Sequence, residues 1–165
     1  LNQAAKTMNF LTEHGIGSYE ELESRLTAVP ARRDTAHAEI KRIENRAAEL
    51  ALVMKHAETY RQLKPLYDRY RKSNDKEKFL RGHESEIILF EAAARELKRL
   101  GTVPLPTTES MKTELANLNA EKERLLAEYK AARAEAQEYE TVKQNVDALL
   151  TVAKEQEQQR RHELE

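Results

Sequence analysis

Met111, Leu115, Leu118, Lys122, Leu125, Tyr129, Ala132, Ala136, Tyr139, Lys143, Val146 and Leu150 follow one another at alternating spacings of four and three, and neither Gly nor Pro interrupts them. That period places all twelve on one edge of a single helix for about six heptads. Such a helix gains little from propensity alone and needs a second apolar surface against its seam. Ile40, Ile43, Ala47, Leu50, Met54 and Ala57 keep the same spacing earlier in the chain and supply that surface. Composition agrees: 35% of the 165 residues are charged, with three Phe and no Trp. A compact globule would be short of core, whereas paired amphipathic helices would not.

The expected architecture is therefore all-α, an elongated antiparallel coiled-coil stalk of two long helices with a small helical head. In outline, 1–15 is a short N-terminal helix, 18–64 and 108–158 are the stalk helices, and 65–107 is a helical head with a proline-rich linker, all in one helical region, 1–165. Two helices of about 50 residues reach about 75 Å each. Antiparallel pairing would bring Leu50 near Tyr129, with the short first helix over Val146 and Leu150. The topology requires the linker to return along the head, and about eight residues in polyproline-like conformation cover about 25 Å.

Local signals set the boundaries. Ala4, Met8 and Leu11 form one side of the first helix, which Gly15 and Gly17 stop. Ser18 and Glu21 make a capping box for the next. Pro30 lacks an N–H and crowds the preceding turn, which predicts a kink or break near Val29; Pro65 is a second disturbance, and fraying follows near Lys72. Asn74 with Glu77 opens a short turn of helix through Leu80, closed by Gly82. A further helix spans about 84–100, with Ile87, Ile88, Phe90, Ala94, Leu97 and Leu100 as its apolar stripe and Gly101 as its stop. Thr107 or Thr108 caps the last helix, with Glu109 in its first turn.

Chemistry is sparse. The five histidines form no H-x-H or H-E-x-x-H pair, and there is no Cys, no G-x-x-x-x-G-K-[ST] and no G-x-S-x-G. No cofactor, metal site or catalytic residue is expected. Pairs such as Glu20/Glu21 and Glu84/Glu86 read as solvated helix faces, because acid–base catalysis needs carboxylates with separated pKa values in a cleft. No apolar run approaches the roughly 18 residues of a membrane span, and the start has no signal-peptide core. A cytoplasmic protein is the expectation. The chain opens at Leu1 rather than Met, which reads as a piece of something longer.

Net charge is −1, so any polyanion binding must come from a local cluster. The best one is Arg61, Lys64, Arg69, Arg71, Lys72, Lys76, Lys78 and Arg81, faced within the same span only by Asp68, Asp75 and Glu77. The surplus is about five positive charges, suited to sequence-independent contacts with DNA phosphates. Tyr60, Tyr67 and Tyr70 among them have no activating base or metal and read as rings filling a helix junction.

"AAKTMNFLTEHGIGSYEELESR", "LVMKHAETYRQLKPLYDRYRKS", "KFLRGHESEIILFEAAARELKRLG" and "EYKAARAEAQEYETVKQNVDALL" together resemble the region downstream of the catalytic domain in relaxases, the mobilization nucleases of bacterial conjugative or mobilizable plasmids and transposons. The resemblance implies a C-terminal, non-catalytic accessory region. The tyrosine nucleophile and histidine-bound metal of such proteins sit on an N-terminal domain that this chain does not contain. The implied role is conjugative DNA mobilization, with non-specific contacts to DNA at a transfer origin. The alternative is a coiled-coil spacer or docking module for relaxosome or transfer-channel proteins, or for a second copy of itself as a homodimer.

Overall fold

The computed structural model describes residues 2–165, and Leu1, the first residue of the expected 1–15 helix, lies outside them. Among the described residues there are four helices and no strand: α1 (Asn2–Glu13), α2 (Tyr19–Lys72), α3 (Lys76–Arg99) and α4 (Thr108–Leu164). The expected all-α class holds. The helices are distributed over two compact units, Leu1–Ile40 with Arg124–Glu165, and Lys41–Glu123.

The helix ends follow from local hydrogen bonding. At the end of α1, Ile16 N donates to Leu11 O at 2.8 Å and Gly15 N to Thr12 O at 3.2 Å, with Gly15 at φ 64°. This pair of bonds satisfies carbonyls that a helix end leaves orphaned, and the left-handed residue between them is the one that suits Gly. The same motif ends α3: Thr102 N donates to Leu97 O and Gly101 N to Lys98 O, with Gly101 at φ 70°. Ser18 Oγ accepts from Glu21 N at 3.2 Å, while the Glu21 carboxylate accepts from Gly17 N at 2.7 Å, one residue before the cap itself. Thr107 is the cap of α4, its Oγ1 accepting from Ser110 N at 3.1 Å.

Three boundary expectations are corrected. α2 runs unbroken through Pro30 and Pro65 to Lys72. Pro30 removes one hydrogen bond, but Leu22, Val29 and Ala36 on either side are buried, and their packing holds the helix across the gap. The cap of α3 is Asp75, not Asn74: its side chain accepts from Lys78 N at 3.1 Å, which is the reach of a carboxylate three residues back. Finally, α3 continues past Gly82 and is interrupted instead at His83, at φ −138° and ψ 26°, which marks a kink between its two segments.

In the unit formed by the chain ends, Phe10, Ile16, Leu22, Val29, Ala136, Tyr139 and Val142 make the core, with Leu11, Leu26 and Val146 packed against it. α1 buries Thr7 and Phe10 rather than the Met8 side, and Met8 is 59% exposed. Phe10 meets Tyr139 edge-on at 5.0 Å between centroids, a geometry that aromatic pairs favour, and this anchors the face. Tyr19 contacts Asp147, Arg25 donates to the Tyr139 hydroxyl, Arg32 pairs with Glu135, and His37 lies 5.8 Å from Tyr129. Numbers rise on α2 as they fall on α4. Tyr129 therefore faces His37, and Leu50, expected beside it, belongs to the other unit.

In the other unit, Arg46 grips Glu114 with two bonds of 2.7 and 3.1 Å, and Lys122 pairs with Glu44 at 3.5 Å. α3 buries Ile87, Phe90, Ala93 and Leu97, a narrower stripe than expected, and leaves Ile88 exposed. The linker does return. Arg61 donates to Thr108 Oγ1 at 2.8 Å and to Pro106 O, seating the start of α4 beside α2.

Candidate nucleic-acid interface

The basic cluster lies on the last turns of α2 and the first of α3, joined by Ser73, Asn74 and Asp75. Local rules account for this placement. Arg69, Arg71 and Lys72 occupy the last turn of α2, where cations offset the negative end of the helix dipole. Asp75 is spent on the cap, which leaves its charge at the positive end of α3.

The eight predicted cations divide into two sets. Arg61 is committed to the linker through Thr108 and Pro106, and Lys64 pairs with Asp68 at 3.3 Å. Arg69 places its guanidinium carbon 6.0 Å from the Phe79 ring centroid, at the outer limit of a cation–π contact. Arg71, Lys72, Lys76, Lys78 and Arg81 are exposed and pair with no carboxylate among the described residues. The sequence could not show that Arg61 is withdrawn, because its partners lie 45 and 47 residues away.

The tyrosines pack as rings. Tyr60 and Tyr67 both stack on Phe90, at 4.8 and 4.3 Å between centroids. Tyr70 lies 5.8 Å from Tyr67 and 6.0 Å from Phe79, which in turn lies 4.7 Å from His83. The series ties α2 to both segments of α3 across the His83 kink. Sequence reading identified the tyrosines but missed Phe79, Phe90 and His83 as their partners.

Among the described residues no group of three His, Asp or Glu side chains is placed to hold a metal ion, and no helix is long and apolar enough to cross a membrane. Every buried side-chain nitrogen or oxygen among them has a hydrogen-bond partner. The shifted acid–base groups lie in ion pairs and one tyrosine–carboxylate hydrogen bond on helix surfaces. Arg99 beside Glu96 holds that carboxyl below its usual range, and the two residues are one helical turn apart. Compared with known protein families, curated proteins and solved structures, the chain matches none of them.

Proposed function

We propose that this chain is a non-catalytic helical accessory region of a DNA-mobilizing protein, and that the α2–α3 turn contributes sequence-independent contacts to DNA phosphates. One observation carries the reading: Arg71, Lys72, Lys76, Lys78 and Arg81 crowd into eleven residues, all exposed and none paired with a carboxylate among the described residues. Cations left over after a fold has satisfied its own carboxylates are the ones that can release counterions from a polyanion. The resemblance to relaxase C-terminal regions supplies the DNA-processing context, and the role asks no bond-making of the chain.

The test is salt-titrated binding to a short duplex. Reversing Arg71, Lys72 and Lys76 to Glu should weaken binding at low salt by at least about tenfold and flatten its salt dependence by about three phosphate contacts. Unchanged affinity and slope would sink the reading.

A second reading has its own support. Leu22, Val29, Ile43 and Leu50 on α2 and Met111, Leu118, Leu125 and Tyr139 on α4 are buried, while Met8, Leu149, Leu150 and Val152 stay exposed. Those residues favour an antiparallel coiled-coil spacer that docks a relaxosome or transfer-channel protein or a second copy of the chain. Light scattering over a range of concentrations tests the self-association arm: a constant monomer mass removes it.

A further inference from the structure

Beside the unpaired cations, α2 and α3 enclose an open cleft of about 420 Å³, within the size range of ligand sites. Tyr60 and Tyr67 line one wall as members of the stack on Phe90. Arg71 and Arg95, both exposed, belong to its lining on opposite helices, with Lys64 beside them. Asp68 and Glu91 are also in the lining. Asp68 is neutralised by Lys64 at 3.3 Å, but Glu91 pairs with no cation among the described residues.

The lining mixes Lys64, Arg71 and Arg95 with Asp68 and Glu91, so what sets the cleft apart from the rest of the cation cluster is its aromatic wall rather than its charge. A nucleobase is planar and uncharged, and tyrosine rings offer it a stacking surface that any base can use. Its flanking phosphates would then meet the exposed guanidinium groups of Arg71 and Arg95. We propose that the cleft takes one unpaired base of a single-stranded polynucleotide, with the phosphates on either side held by Arg71 and Arg95. The proposal rests on the reading that the α2–α3 turn binds phosphates, and it goes further by choosing single strands: a base within a duplex is already stacked and paired.

The experiment uses the full chain and fluorescence anisotropy at low salt, with an oligothymidylate of about twelve nucleotides and an abasic strand of equal length and charge. The thymidine strand should bind about tenfold more tightly than the abasic one. Tyr67→Leu, and separately Tyr60→Leu, should bring the thymidine strand down to the abasic level and leave abasic binding where it was, with helical circular dichroism unchanged. Equal wild-type affinity for the two strands, with salt-dependent binding of both, overturns the base site while the phosphate reading stands. No binding of either strand overturns both.

Discussion

The Tyr19 hydroxyl donates to Asp147 Oδ1 at 2.7 Å, joining the first turn of α2 to α4 across 128 positions of sequence. Lys143 Nζ donates to the other carboxylate oxygen at 2.9 Å and lies 5.9 Å from the Tyr19 ring centroid. The contact fixes where α2 begins to pair with α4 in that unit. It also sets three protonation equilibria. The hydrogen bonds from Tyr19 and Lys143 hold the Asp147 carboxyl below its usual value, and Asp147 in turn raises both Tyr19 and Lys143.

The signs give a pH prediction. A depressed carboxylate contributes stability above its unfolded value and loses it as pH falls through the folded one; raised Tyr and Lys contribute below their unfolded values and lose it as pH rises through the folded ones. The contribution is thus complete at neutral pH and fades at both extremes. Thermal unfolding followed by circular dichroism should place wild type above Asp147→Asn at about pH 7, with the gap closing below the usual carboxylate range. A gap that persists in strong acid would show that the ionised group is not responsible. The group is exposed, so the difference should be small and should shrink in high salt.

Leu22 is 1% exposed in the core beside Tyr139, whereas Leu126 is 45% exposed on α4. Leu22→Ala should cost about 2–5 kcal/mol in urea unfolding through lost burial and a cavity. Leu126→Ala should change stability by no more than about 0.5 kcal/mol. Similar costs for the two would contradict the assignment of the core face.

Pro30 lies inside a continuous helix where its missing N–H serves no cap. Pro30→Ala restores a donor and a good helix former, and should stabilise the chain by about 1–3 kcal/mol in the same assay. A loss of stability would mean that the half-buried ring contributes packing worth more than the hydrogen bond.

Gly82 and Gly101 make opposite predictions, although a Cβ added at either meets nothing within 4 Å. Gly101 has φ 70°, so Gly101→Ala should destabilise by about 1–2 kcal/mol through backbone strain alone. Gly82 is helical and has no such angle, so Gly82→Ala should stabilise by about 0.5–1 kcal/mol. Equal responses would show that the two backbones are not distinct.

Much of the fold was legible because it depends on neighbours in sequence. Helix periodicity, the Ser18 and Thr107 caps, and the Gly15 and Gly101 stops all involve groups within about five positions, where backbone hydrogen bonds are made. The α4 seam was legible in part: Met111, Leu118, Leu125, Ala132, Ala136 and Tyr139 are buried, but Leu150, expected under the first helix, is 47% exposed, and Val142, outside the expected seam, is buried. The basic cluster and its tyrosines were also visible, since their crowding is a property of sequence alone.

What remained was decided by partners distant in sequence. In a helix as short as α1, 3.6 residues per turn permit more than one apolar stripe; Tyr139 and Asn145 on α4 chose the one bearing Phe10 and Thr7. A seam of small and large apolar residues tolerates several registers, and contacts such as Arg46 with Glu114 and Tyr19 with Asp147 selected this one. Packing on both sides of Pro30 outweighed a lost hydrogen bond, and the return of the linker withdrew Arg61 from the cation cluster. Sequence by itself determined where helices form, because that energy is local; tertiary structure decided which faces and charges remain free, because that depends on what packs against them.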